Sequence, residues 1–117
     1  MIDRLVVPDL QAVVANPERL DWKPMRPGIE VHRLYQHGDD GPAAAFLRYK
    51  PGATLARHRH TGVEHIFVLA GSQQDERGIY RAGAFVVNPP GTAHNVVSPE
   101  GCIVLVLWEK PVSFEPG

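Results

Sequence analysis

The sequence holds six histidines, at 32, 37, 58, 60, 65 and 94, and three of them stand where they could share an ion. His58 and His60 are separated by one residue. On a strand, positions i and i+2 point to the same face, so two imidazoles can converge on one point. Glu64 follows Thr61-Gly62-Val63, a stretch able to reverse the chain and set a carboxylate beside the pair. His94 comes later, after Pro89-Pro90-Gly91. Three neutral nitrogens and one oxygen suit Fe(II), Mn, Zn, Ni or Cu and leave positions open for water or substrate. An isolated His-x-His is a weak signal, and the spacing of the glycines sharpens it. Gly52 precedes His58, Gly71 follows Glu64, and Gly83 opens a block running through Pro89 and Gly91 to His94. Glycine supplies the positive-φ turns that tight barrel corners need.

The elements that must position these residues read as strands. Candidates are Glu30 to Gln36, Ala43 to Tyr49, Thr54 to His60, Glu64 to Leu69, Gln73 to Asp75, Ile79 to Tyr80, Ala84 to Val87, His94 to Val97 and Ile103 to Trp108. Turn signals such as Pro51-Gly52 and Ser98-Pro99-Glu100-Gly101 separate them. Short strands at this spacing suggest a sandwich or barrel, and no long 3.6-residue period competes. Residues 1–29 are the least regular, with Asp9 to Ala15 able to form a helical turn or a strand. The whole of 1–117 is expected to be a single domain, with 1–29 as an N-terminal extension and 30–110 as the barrel. The last strand is apolar on both faces, so its outer face is expected to pack on a second sheet or another subunit.

Composition narrows the function classes. Lys+Arg 12 against Asp+Glu 13 gives a net charge of −1, without the basic surplus of a nucleic-acid binder. The longest apolar run, Cys102 to Trp108, is far short of a membrane helix. Asp3 and the missing apolar core near the start argue against a signal peptide. Cys102 is the only cysteine, which excludes an intrachain disulfide and a thiolate zinc cluster and fits a cytoplasmic protein. No nucleophile elbow, phosphate loop or Ser/His/Asp order is present. His32 and His37 read as surface or turn residues, Cys102 as a small buried hydrophobe, and Trp22 and Trp108 as core or interface anchors. Asp75-Glu76 beside Arg77-Gly78 reads as a hairpin turn, not a carboxylate dyad. Some of Tyr35, Phe46, Arg48 and Tyr49 must point into the barrel, though parity alone does not say which.

The pattern Gly52-x5-His58-x-His60-x3-Glu64-x6-Gly71, followed by Gly83-x5-Pro89-x-Gly91-x2-His94, resembles the two motifs of the cupins. The usual closing Asn of the second motif falls on Ser98, a departure that leaves the ligand positions untouched. More closely, the chain resembles the cupin-like domain of the ChrR family. The matching text includes Pro51-Gly52-Ala53, Val68-Leu69-Ala70-Gly71, Asp75-Glu76-Arg77-Gly78 and Asn88-Pro89-Pro90-Gly91-Thr92-Ala93-His94, over roughly residues 20–110. The resemblance implies an all-β, RmlC-like double-stranded β-helix, or jelly-roll barrel, enclosing one divalent metal ion (Fe, Zn, Mn or Ni). It carries His58, His60, Glu64 and His94 across as ligands, with Glu64 binding either directly or through water. The family often has a second Glu where His65 stands here. By alternation His65 faces outward; the other possibility is a substitute ligand. Three functions fit the resemblance: an Fe(II) dioxygenase of small diketone-like or phenolic substrates, a regulatory or stress-sensing metal module, and a passive binding protein. ChrR is an anti-sigma factor with this domain at its C-terminal end. Its zinc-binding N-terminal domain has no counterpart before Trp22, and no His-x3-Cys-x2-Cys occurs, so anti-sigma activity is not expected from this sequence alone. The expected partners are a small molecule in the barrel and a second copy in a homodimer, with neither nucleic acid nor membrane.

Overall fold

The computed structural model describes residues 2–114. Among them are one short helix, α1 (Leu10–Ala15), a 3₁₀ turn at Pro17–Arg19, and ten strands. The strands are β1 (Lys23–Arg26), β2 (Ile29–Gln36), β3 (Ala43–Tyr49), β4 (Thr54–Arg59), β5 (Glu64–Asp75), β6 (Gly78–Arg81), β7 (Phe85–Asn88), β8 (Ala93–Val97), β9 (Cys102–Trp108) and β10 (Ser113–Phe114). They form one curled antiparallel sheet in the order β1-β2-β3-β9-β5-β8-β4-β10, with β6 and β7 also paired to β5.

Alternation explains the inner and outer faces. On β3, Ala45, Leu47 and Tyr49 face the core with Cys102, Val104 and Val106 of β9. Ile29, Val31, Leu55, Ile66, Val68 and Val96 complete that core. Phe46 and Ile103 take the opposite parity and face outward, where Val13 of α1 meets them. Val7, Leu10, Leu20 and Trp22 extend this cover, and Leu105 lies beneath it. The outer face of the last long strand is thus packed by the chain's own N-terminal segment, which is a closed layer and not a loose extension. The stretch from Asp9 resolves as a helix because the Asp9 side chain caps it, accepting from the Gln11 N–H at 3.0 Å. Arg48 locks the cover in place. Its guanidinium lies 4.7 Å from the Trp22 ring centre and pairs with Glu18 and Glu30.

Two expected strands, Glu64 to Leu69 and Gln73 to Asp75, are one continuous β5. Its first part pairs with β7 and β9, and its last part pairs with β6 and β8. Gly71 is the corner between them. Its φ is +71°, and a Cβ there would collide with the carbonyl oxygen of Gly101. Only glycine fits that approach. β1 and β10 carry no alternating apolar pattern and went unread in the sequence. The N–H groups and carbonyls along them are recruited by the edges of β2 and β4. No helix among the described residues is long and apolar enough to cross a membrane.

Candidate metal centre

β4 ends on His58 and Arg59, and β8 begins with Ala93 and His94. The two strands are antiparallel, with His58 directly opposite His94. A register irregularity between Leu55 and His58 re-aims the end of β4. His60 stands just past β4, held by its backbone N–H on Thr92 O and by the Gly91 N–H on its own carbonyl. The Pro89-Pro90-Gly91 turn thereby carries His94 back against the pair. All three rings are buried, with centroids 4.6, 4.8 and 5.2 Å apart. One ring nitrogen from each lies within 4.8 Å of the others.

The outward-facing nitrogens fix what the inner ones can do. His58 Nδ1 is 2.9 Å from Ala56 O, a carbonyl that can only accept. His60 Nδ1 is 3.0 Å from both Thr92 O and Thr92 Oγ1, and that hydroxyl already donates to Pro89 O at 2.6 Å. His94 Nδ1 is 3.0 Å from Asp75 Oδ2, a carboxylate. Each Nδ1 therefore carries the proton and donates it, and in the neutral ring each Nε2 is left with a lone pair. Those lone pairs converge. His58 Nε2 and His94 Nε2 are 3.0 Å apart, and His60 Nε2 is buried with no hydrogen-bond partner. His60 Nε2 also faces Glu64 Oε1 at 3.2 Å. Four electron-rich atoms pointed at one another in a dry interior repel unless a cation sits among them. Burial holds His58 below the usual imidazole range, favouring the neutral form a metal needs.

Glu64 opens β5 on the far side of the cluster. Its Oε1 accepts from Asn88 Nδ2 at 3.0 Å and its Oε2 from Trp108 Nε1 at 2.7 Å. Burial alone would raise this carboxyl; the net shift is downward through positive charge on the side facing His60, where a cation would sit, helped by the Asn88 amide. Asp75 behaves likewise: burial opposes the charge, while donors from His94, the Arg77 N–H and the Tyr80 hydroxyl win. The tight β5–β6 hairpin at Asp75 is as expected, with Asp75 opposite Gly78. Its carboxylate has a second task that the sequence did not disclose, since its partner His94 lies on another strand. Asn88, Thr92 and Trp108 are further site residues found only in the structure. The first two sit inside the Asn88-to-His94 text, which was the available signal.

Of the four pocket candidates, Tyr49 alone lines the cavity beside the histidines, with Leu47, Leu55, Ile66, Gln73 and Val106 among the other wall residues. Phe46 and Arg48 face outward. The cavity holds about 20 Å³, room for about one water molecule. Phe114 of β10 packs against the core nearby, its ring 5.5 Å from that of His58. His65 lies on the outer face, stacked on Phe85 with centroids 5.8 Å apart. Cys102 is buried in the core with its thiol pushed up to about 11 by burial.

The model of one protein family, the ChrR cupin-like domain, matches residues 10–112. No curated protein matches the chain in sequence. Among solved structures, an acetylacetone dioxygenase from Acinetobacter johnsonii superposes with a TM-score of 0.79 at 16% identity, covering 99% of this chain and 80% of that one. An RmlC-like cupin from Ralstonia eutropha gives 0.72 at 21% identity, over 81% of this chain and 66% of that one. The anti-sigma factor ChrR of Rhodobacter sphaeroides, solved with SigE, gives 0.72 at 26% identity, over 82% of this chain and 53% of that one. The chain spans about half to two thirds of the length of the Ralstonia and Rhodobacter proteins. These likenesses establish the RmlC-like cupin fold.

Proposed function

The chain belongs to the ChrR cupin-like family, and from that footing we propose that it is a mononuclear metal-binding cupin acting as a dioxygenase on a small chelating substrate of the diketone or phenol type. The observation that carries this reading is the convergence of three Nε2 lone pairs, each fixed by a donor bond on the opposite side of its ring. His58, His60 and His94 would hold the ion, and Glu64 would add a negative charge directly or through water. Iron(II) held there would supply a Lewis acid and a redox centre for the reaction of O2 with a chelating substrate. The protein's share is positional. Asp75, Ala56 O and Thr92 keep the imidazoles in the ligating tautomer. Leu47, Leu55, Ile66 and Val106 exclude bulk water from the reacting face. Tyr49, whose hydroxyl burial keeps protonated, remains a neutral donor in that wall.

The test is the metal content of protein purified without oxygen or chelating resin, followed by O2 uptake on 1,3-diketones. About one iron per chain with uptake supports the dioxygenase, and both His60→Ala and His94→Ala should then lose the metal while remaining folded. Unchanged retention in both variants refutes the ligand set. The likeness to ChrR favours a second reading, a regulatory metal module without turnover; stoichiometric zinc and no O2 uptake would select it. The same proposal includes one domain over 1–117, a cytoplasmic location and a homodimer. The exposed sheet face of Phe67, Phe85 and Val87 supports the dimer, and a sedimenting species of chain mass would remove it.

A further inference from the structure

A second concavity, about 210 Å³, opens at the mouth of the barrel immediately outside the histidine cavity. Met25, Trp108 and Val112 line both spaces, so these three side chains form the partition between them. The mouth has room because β3 presents small residues there. Arg33 sits opposite Ala45, and Ala43 lines the groove. On β2, Ile29 and Val31 face the core, and Arg33 shares their parity at the rim. It is an exposed cation placed where the inner face of the barrel meets solvent. Asp39, on the loop after β2, lines the same groove. Among the described residues, neither Arg33 nor Asp39 makes an ion pair. Arginine offers a planar fork of donors that matches a carboxylate two bonds at a time.

We propose that this groove is a binding site for a small organic carboxylate, with Arg33 as the residue that receives its anionic end. The volume lies below the ~300–1,000 Å³ of pockets for drug-sized ligands, so the occupant is small. Resting on the metal reading above, the inference narrows the substrate class from chelating molecules in general to oxo-carboxylates, whose anionic end would rest on Arg33 and whose oxo end would reach the centre once the Met25, Trp108 and Val112 side chains move aside. A divalent ion beside three neutral imidazoles would be balanced by the Glu64 and Asp75 carboxylates, so the charge that draws the anion is that of Arg33 itself. Asp39 opposes this from the loop and is expected to weaken the site, not to define it.

The experiment compares acetoacetate with acetylacetone, which are matched in size and differ by one charge near neutral pH. Each is titrated into the full chain, both zinc-loaded and metal-free, following the Trp108 indole N–H by NMR. Acetoacetate should bind about tenfold tighter than acetylacetone to the wild-type protein, the scale of one charge-assisted bond. Arg33→Gln should abolish that preference, Arg33→Lys should retain part of it, and Asp39→Asn should increase it. Equal binding of the two probes, no binding of either, or a preference that survives Arg33→Gln overturns the proposal. Zinc retention is scored separately. A chain that fails to hold zinc refutes the metal centre, while the difference between wild type and Arg33→Gln in the metal-free protein still decides the groove.

Discussion

Replacing Asp75 with asparagine changes one atom and should disable His94 as a ligand. In the native site Asp75 Oδ1 accepts from the Arg77 N–H and the Tyr80 hydroxyl, each at 2.9 Å, and Oδ2 accepts from His94 Nδ1 at 3.0 Å. The amide has one acceptor oxygen for these two positions. If that oxygen stays with Arg77, the NH2 group faces His94 Nδ1, which must then carry a lone pair. The imidazole proton moves to Nε2, 3.0 Å from His58 Nε2, where it makes an ordinary hydrogen bond. The metal-free variant is therefore comfortable and folded, but its third lone pair is gone. The opposite amide orientation leaves the Arg77 N–H against a donor, at about 1–3 kcal/mol. Either way, restoring the ligating tautomer should cost about 1.4–2.8 kcal/mol, a 10- to 100-fold loss of metal affinity. The assay is competition for zinc or cobalt against a chromophoric chelator near pH 7.5, with nitrogen NMR of the histidine rings in the metal-free protein. An affinity within threefold of wild type, or a His94 ring in Asp75→Asn still protonated at Nδ1, would refute the reasoning.

Two further outcomes test the shell around the centre. Phe46→Ala should lower stability by about 3–5 kcal/mol and expose the segment around α1 to protease, because Phe46 is buried under that helix; a loss under 1 kcal/mol in urea denaturation would count against the covered outer layer. Burial pushes the Cys102 thiol up to about 11, so folding favours its protonated form. That contribution is complete below the ordinary thiol range and is lost as pH rises through about 11, with roughly 1.4–2 kcal/mol gone by pH 10. Denaturation midpoints should fall between pH 8 and 10 in the wild type and less steeply in Cys102→Ala; parallel slopes would refute the assignment.

The barrel and the clustering of His58, His60 and His94 were legible because both follow local rules. Ala43 to Tyr49 matches β3 to the residue, since a strand buried on both faces is bounded sharply by its turns. The His58–His60 spacing puts both rings in one cluster, and His94 joins them from the strand alongside. Asp75 and Trp108 were not legible as site residues, because their roles depend on which strands become neighbours. The pairing of β9 with β5 sets Trp108 opposite Glu64, and nothing near either residue in sequence signals it. The destination of the last strand's outer face was likewise misjudged in kind. Its apolar residues called for a cover, and the cover lay in the irregular N-terminal segment, where a single short helix breaks any recognisable period.

β5 begins with Glu64, against His60, and ends with Asp75, against His94. One continuous strand therefore clasps the histidine cluster from both sides, with its bend at Gly71 between the two grips. A shift at that bend moves both carboxylates at once. In the proposed centre one would contribute charge beside the ion and the other sets the proton on His94, so charge and ligation could not be adjusted independently. The grip on a metal held there would then be a property of the strand's curvature. A change at the Gly71 corner, remote in the sequence from His58, His60 and His94, would be felt at the cluster as a change in both.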